Sequence, residues 1–291
     1  LLSKILALHI RKKMIHEVIV TTISKTDIVH IAPMGIRFLD QQIIISPFKP
    51  SQTLDNILDN NISLNEELHE YRLLDQPQEI FTSVTTYVDH FFEGFDAIRI
   101  ATKLVKSHPK YADHTIDSLM AEWAATAEYG TRVHNEIEEW FKEKIEPKDQ
   151  KALNGRDWLE KYRSRSRMDV HSEVIIYSTE LSIAGTVDIL AKDNVTGEYG
   201  IIDWKTSKKI ETSSYAQKMG THSSTRHVMD CNFYHYSLQL SLYRYILEEF
   251  YGLKIRNQLI AHLKDDTVNA IVTPYMRDEI VEMLKYREEL Q

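Results

Sequence analysis

The chain reads as a mixed α/β protein: helices, a three-stranded meander, a helix and further strands, led by a small β-rich N-terminal appendage. Three observations predict this. Between Ile116 and Ile145, the residues Leu119, Trp123, Tyr129, Val133, Ile137, Trp140 and Phe141 recur mostly at three- and four-residue spacing, the period of a helix with one apolar face. Residues 173–179, 182–191 and 198–204 have strand texture, with Asp193-Asn194 and Thr196-Gly197 supplying a turn between the last two. Asn232 to Tyr251 is again helical and stops at Gly252, a residue suited to helix termination.

In chain order, Glu17–Thr22 and Gln42–Pro47 are β-branched strand runs, and Pro33-Met34-Gly35 between them reads as a turn or bulge. Ser51–Leu64 reads as a short helix, and the polar stretch 66–80, with Pro77, as a linker. Phe91–Val105 and Ile116–Ile145 are helical in period, and the meander follows. Residues 206–230, rich in Ser, Thr, His and Lys, suggest a mobile loop. After the helix at 232–251 come strands at Asn257–Leu263 and Val268–Thr273 and a closing helix at Tyr275–Leu290. The expected organisation is an appendage over residues 1–75 and an α/β domain over residues 76–291.

Composition narrows the function. At 291 residues and 43% hydrophobic, the chain can bury a sizeable core. Its net charge of -8 means that any nucleic-acid contact must use locally clustered cations, because the whole-protein field repels phosphate. Cys231 is the single cysteine, which excludes an intrachain disulfide framework and a four-cysteine zinc or iron–sulfur site. No apolar run reaches the roughly 18–20 residues of a membrane-spanning helix, so no membrane partner is expected. Leu1–Ile15 has no acid and carries Lys4, Arg11, Lys12 and Lys13. An organellar transit segment is one reading of it; an intracellular location is the general expectation.

Asp203-Trp204-Lys205-Thr206, fifteen residues after Gly185-Thr186-Val187-Asp188, carries the chemistry. A hairpin across 193–197 would bring Asp188 and Asp203 to one end of a sheet. Buried carboxylates are costly unless paired or bound to metal, and their hard oxygens suit Mg²⁺ or Mn²⁺. Strand alternation puts Lys205 on the face of Asp203, where an ammonium can act on an attacking water and on phosphate charge. Upstream, Gly130-Thr131-Arg132-Val133-His134 places an imidazole on a helix, and Gly130 is explained by a close backbone approach. Downstream, His235, Gln239 and Tyr243 form one polar stripe that can meet a phosphate or base. Arg163, Arg165 and Arg167, with Lys161, precede the first meander strand, and Lys208, Lys209, Lys218 and Arg226 follow Lys205, so a backbone-binding groove flanking the site is expected.

These elements occur in the order Gly-x-x-x-His, Gly-x-x-Asp, Asp-Trp-Lys-Thr, Gln-x-x-x-Tyr. Over residues 83–275 this resembles the RecB-like branch of the PD-(D/E)xK nucleases, which includes the mitochondrial genome maintenance exonuclease and the iron–sulfur nucleases associated with CRISPR adaptation. The stretch 83–145 is also similar to nuclease homologues of large DNA viruses and phages. The resemblance implies a restriction-endonuclease-like core and a metal-dependent exonuclease acting on DNA, single-stranded or with a free end, in DNA processing, replication or repair. It implies His134, Asp188, Asp203 and the Trp204 carbonyl as metal ligands, Lys205 as the catalytic lysine, and Gln239 and Tyr243 as nucleic-acid contacts. Glu173 matches an acidic position on the preceding strand. The cluster-binding cysteines of the CRISPR-associated members are absent, so no iron–sulfur cluster is expected.

Residues 14–62 resemble the opening of a family related to flavin reductases, whose fold is an FMN-binding split barrel. The matching segments are Ile15–Thr22, Ile31–Gly35 and Pro47–Asn56. Half a barrel leaves open strand edges, so FMN binding is not expected. Two rival functions follow: a nucleic-acid-binding module whose catalysis has lapsed, and a flavin-binding protein. Intact Asp188, Asp203 and Lys205 argue against the first, and the truncated barrel against the second.

Overall fold

The computed structural model describes residues 16–23, 29–39, 42–47, 62–65, 70–74 and 78–287, the first three stretches and residues 165–166 as backbone only. Strands β1 (His16–Ile23), β2 (Val29–Leu39) and β3 (Gln42–Pro47) form an antiparallel sheet in that order. β2 runs without a break through Pro33-Met34-Gly35, pairing Pro33 with Ile19 and Gly35 with Ser46, so the expected turn there is strand. Leu1–Ile15 lies outside the described residues, as does residue range 51–61 of the expected helix.

The larger sheet has eight strands: β4 (Ile62–Asn65), β5 (Glu70–Leu73), β6 (Ile80–Ser83), β7 (Met168–Ser178), β8 (Ile183–Asp193), β9 (Tyr199–Lys205), β10 (Ile255–Leu263) and β11 (Val268–Val272). Its path is β11-β10-β9-β8-β6-β5-β4, with β7 paired to β8. The end of the expected helix, and residues 70–73 and 80 of the expected linker, are therefore strands of this sheet. Ile62, Tyr71 and Leu73 bury themselves against Phe81 and Ala184. An organisational boundary at residue 75 would cut between hydrogen-bonded neighbours β5 and β6.

Six helices flank the sheet among the described residues: α1 (Val84–Asp89), α2 (Ala97–Ser107), α3 (Ile116–Glu143), α4 (Gln150–Ser166), α5 (Asn232–Glu249) and α6 (Arg277–Leu284). Strand alternation sorts the core into two layers. Ile189, Ile202, Trp204 and Leu259 meet Val133, Ile137 and Trp140 of α3 and Leu159 of α4. Leu190, Ile201 and Ile260 meet Val84 and Val88 of α1, Leu238, Leu242 and Ile246 of α5, and Ile280 of α6. Of the expected helix at 91–105, only the part from Ala97 is helical; residues 91–96 link it to the short helix before it. The chain leaves α1 at His90, and Asp96 caps α2 by accepting the Arg99 N–H at 2.9 Å. Thr115 and Ser118 close a capping box on α3, while Gly252, at φ 65°, takes the left-handed conformation just after α5.

β8 sets the position of the site. One edge pairs with β7 along its length, Ser178 opposite Ile183 and Met168 opposite Asp193. The other edge is shared: β9 takes Ile189–Lys192 and β6 takes Ile183–Ala184. Between them, Gly185–Asp188 has no strand partner on that edge among the described residues. The sheet opens there.

Candidate active site

Asp188 and Asp203 meet at this opening. The last β8–β9 pair is Ile189 with Ile202, and the next step in the same register sets Asp188 opposite Asp203. Residues directly opposed across antiparallel strands point to one face, here the face covered by α5. Where the strands part, Asp188 Oδ2 substitutes for a backbone acceptor and takes the Trp204 N–H at 2.8 Å. The Trp204 indole packs into the opposite layer. The Trp204 backbone also acts on the His134 imidazole, favouring its charged form against burial, so the backbone of this residue faces the cluster.

Lys205 reaches back across the strand to Asp203 Oδ2 at 2.7 Å, and its ammonium lies 4.7 Å from the centre of the Tyr236 ring. The contact is close but poorly directed: Asp203 Oδ2 is buried and receives no hydrogen bond of good geometry. Asp203 Oδ1 accepts Gln239 Nε2 at 3.3 Å, and the same amide nitrogen donates to the Tyr243 hydroxyl at 3.2 Å. His134 Nδ1 stands 3.6 Å from Asp188 Oδ2. Gly130, one turn earlier on α3, faces the Thr206 side chain so closely that a Cβ would lie 2.9 Å from its hydroxyl oxygen. That contact explains the glycine in a helix interior. Gly185 has the same role on β8, where a Cβ would come within 2.5 Å of the Tyr243 ring.

The electrostatics are those of crowded, poorly solvated charge. Burial raises the carboxyl of Asp203 to about 6, with Lys205 opposing and Asp188 reinforcing the shift. Asp188 is also raised, by burial first, against the pull of Lys205 and the Trp204 N–H. Glu173 on β7 lies opposite Asp188 in register and holds a left-handed backbone, φ 50°. Burial and the neighbouring Asp188 push its carboxyl up to about 8. Burial works against the Lys205 ammonium, but Asp203 and Asp188 outweigh it and keep the lysine charged. Burial and Lys205 lower His134 to about 4, leaving a neutral imidazole able to ligate metal at neutral pH.

The donor types suit a hard divalent cation: two carboxylates and a neutral imidazole at the sheet opening, beside the Trp204 backbone, including a buried carboxylate oxygen lacking a directed donor. They do not stand as a finished cage. Among the described residues no three His, Cys, Asp or Glu side chains are poised to enclose an ion. Lys205 covers Asp203 Oδ2, while Asp188 Oδ2 faces the Trp204 N–H, so an ion placed between the carboxylates would need Lys205 to swing aside.

Other sequence expectations sort by place. Gln239 and Tyr243 are buried behind Asp203, positioning its carboxylate instead of lining an open groove. Lys208 and Lys209 lie exposed at the site end of β9, Lys209 3.8 Å from Glu211. Arg163 and Arg167 lie at the other end. Their neighbour Tyr162 packs near Gly200 at the start of β9, and Arg167 precedes Met168, which pairs with Asp193. α4 begins beside the site, where Lys151 Nζ donates to the Thr206 carbonyl at 3.2 Å, and carries these arginines away from it. The Arg165 side chain lies outside the described residues. The segment 206–230 is tied down by Gly220 N–H to the Val228 carbonyl and Thr225 Oγ1 to the Phe91 carbonyl, both 2.9 Å.

Sequence reading missed Tyr236 under Lys205. It also missed Tyr71 of β5, whose hydroxyl lies 2.9 Å from Thr186 Oγ1, two residues from Asp188. An aromatic residue in a short strand carries no local sign of such a long-range contact.

A family model described as PD-(D/E)XK nuclease superfamily matches residues 88–264, more than half of the chain and all of His134, Asp188, Asp203, Lys205, Gln239 and Tyr243. A second, described as Protein of unknown function (DUF447) N-terminal domain, matches residues 16–65; that description names no flavin. Comparison with curated proteins gave no match.

Proposed function

The chain belongs to the PD-(D/E)XK nuclease superfamily, and from that premise we propose that it is a divalent-metal-dependent exodeoxyribonuclease. It would hydrolyse DNA that is single-stranded or has a free end, during processing, replication or repair inside the cell. Mg²⁺ is the proposed ion, with Mn²⁺ able to replace it. The observation that carries the reading is Asp188 facing Asp203 in the sheet opening, with Lys205 on the second carboxylate. The Gly-x-x-x-His and Gln-x-x-x-Tyr elements favour the RecB-like branch, beside the mitochondrial genome maintenance exonuclease.

Asp188, Asp203, His134 and the Trp204 carbonyl would hold the ion. When bound, it supplies Lewis acidity toward a phosphate oxygen and an acidified water. The protein's own residues do the rest. Released from Asp203, the Lys205 ammonium sits beside the attacked phosphorus, where it orients water and offsets charge developing on the phosphoryl oxygens. Gln239 fixes Asp203, and Tyr243 fixes Gln239. Tyr236 flanks the ammonium and limits its range. The apolar layers beneath the site keep these charges in a medium of low polarity, where each interaction is stronger than in water.

Incubation of the full chain with 5′- or 3′-end-labelled single- and double-stranded DNA, in Mg²⁺ and in chelator, tests this. Processive loss from one end, in Mg²⁺ alone, is expected. Internal cuts in a circular single strand would replace the exonuclease assignment with an endonuclease one, and no cleavage with any divalent ion would remove the enzymatic reading.

A further inference from the structure

Beyond the reacting centre, α2 and the first half of α3 carry side chains that the chemistry does not use. Phe95 and Ile98 are 68% and 64% exposed, although the Phe95 ring packs edge-on to Trp123 with centroids 5.4 Å apart. A phenylalanine this open, already touching an indole, leaves a broad aromatic surface in water. Its cost is about 25 cal/mol per Å² of apolar area, and no element of the described chain covers it.

Both halves of the pair point back to the site. On α3, Trp123, Ala127, Gly130 and His134 fall on one face, at helical spacings of four, three and four. Gly130 meets Thr206, which shows that this face turns toward the residue after Lys205. Trp123 is therefore about 16 Å from His134 along the helix, three turns away, with only small residues between. In the segment before Phe95, the Phe92 ring packs tilted against His235 with centroids 4.1 Å apart, and His235 is one turn before Gln239, the residue holding Asp203. Lys218 is ion-paired to Glu93 at 2.5 Å and fixes the same segment. The α3 face thus runs from His134 to the pair, and the segment just before Phe95 is held against the helix that carries Gln239.

Charge fits a phosphate chain. α2 contains no acidic residue, and Lys103, Lys106 and Lys110, on it and just after it, are exposed without an ion-pair partner among the described residues, while the acids nearest the pair in sequence, Glu93, Asp96 and Glu122, are engaged by Lys218, Arg99 and His114. An exposed phenylalanine against a half-buried indole, on elements that also carry unpaired lysines, offers what an unpaired nucleic-acid strand requires: bases stack on the rings and phosphates follow the cations. A duplex keeps its bases in its own stack and would gain nothing from them.

We propose that Phe95 and Trp123 form a stacking subsite for an unpaired base, a few nucleotides along the strand from the phosphodiester held at Asp188, Asp203 and Lys205. The proposal rests on the nuclease reading and adds to it a preference for single-stranded substrate of a minimum length.

The test compares binding of dodecathymidylate and of a thymidine dinucleotide, in chelator, by the full chain and its Phe95→Ala, Trp123→Ala and Trp123→Phe variants. The dinucleotide reaches the site but not the pair. The alanine variants are expected to weaken dodecamer binding about 5- to 100-fold, the range for losing one stacked base, and so to shrink the length dependence. Trp123→Phe should recover most of it. Wild-type tryptophan emission should change on dodecamer addition, and this response should be lost in Trp123→Phe. Unchanged dodecamer affinity in both alanine variants would overturn the subsite while leaving the nuclease intact, and would point to a protein partner for the aromatic surface. An equal loss for both lengths would overturn it as a general defect. A wild type that binds no oligonucleotide in this buffer and cleaves none in Mg²⁺ would overturn both readings together.

Discussion

The two ends of β9 carry charge under opposite conditions. At its start, Arg256 stands 3.9 Å from Asp193, and Arg163 and Arg167 are exposed nearby. Such solvated groups contribute roughly 0–1 kcal/mol per pair and can be lost cheaply. At its end, Asp203 is 2% exposed, tied to Lys205, and crowded by Asp188. Removing such groups from water costs several kcal/mol per ion unless geometry compensates. Here compensation is incomplete, since Asp203 Oδ2 lacks a directed hydrogen bond. The arginines of the first end are close in sequence to the meander, which is why a substrate groove was expected to include them. Unreturned desolvation sets the second apart, and it is there that the proposed chemistry would take place.

The largest effect should come from removing what shelters the buried end. A chain starting at Glu79 lacks β4 and β5, and with them the burial of Ile62, Tyr71 and Leu73. Each is worth about 1.5–3 kcal/mol, together comparable with the roughly 5–15 kcal/mol that holds a domain folded. Loss of solubility and of the cooperative melt is expected, whereas a chain starting near residue 60 should fold and keep the site. Circular dichroism melts of the two truncations decide it. A stable, active protein starting at Glu79 would mean that the site end needs no roof.

Lys205→Ala should reduce cleavage by about 100-fold or more, the range for removing a group that acts on developing charge, while DNA affinity changes only a few-fold. Single-turnover cleavage and gel shift on one preparation separate the two. Equal losses in both would reassign the lysine to substrate binding.

Much of this end was legible locally. Asp-x-Lys on a strand and Gly-x-x-Asp before a turn are short-range patterns, and hairpin register carries Asp188 opposite Asp203 without any distant contact. Gly130 signalled a close approach, though not that Thr206 was the partner. What failed was non-local. Residues 62–73 contain no long apolar alternation, and only pairing with β6 makes them strands. Gln239 and Tyr243 read as substrate contacts because helical period gives a face but not what covers it. Arg163 and Arg167 were close to the meander in sequence, but α4 carries them along the sheet to its other end.

Glu173 offers a smaller effect with a defined sign. Its carboxyl is raised to about 8 from an ordinary 4.5, so the folded chain holds a proton that the unfolded chain releases. The resulting stability is fully present below about pH 4.5 and is lost as pH rises through about 8. The metal-free protein should therefore melt lower at pH 8.5 than at pH 5. Glu173→Gln, which cannot ionise, should flatten that dependence. Scanning calorimetry in chelator across this range checks it; an unchanged slope in the variant would place the titration elsewhere.

The smallest effect returns to the exposed end and isolates the comparison. Each phosphate neutralised by a protein cation releases counterions, so the logarithm of affinity for single-stranded DNA falls against log salt with a slope of about −0.7 per contact. Lys208→Ala combined with Lys209→Ala removes two cations at the site end of β9 and should lessen the slope by about 1.4. Arg163→Ala combined with Arg167→Ala removes the same charge from the far end. If the DNA path follows the buried site and the α2–α3 surface, that second pair should leave the slope and cleavage nearly unchanged. Affinities measured by fluorescence anisotropy from about 50 to 200 mM salt resolve the difference. A slope reduced equally by both pairs would mean that the strand wraps the whole length of the sheet. The solvated arginines would then belong to the substrate path after all.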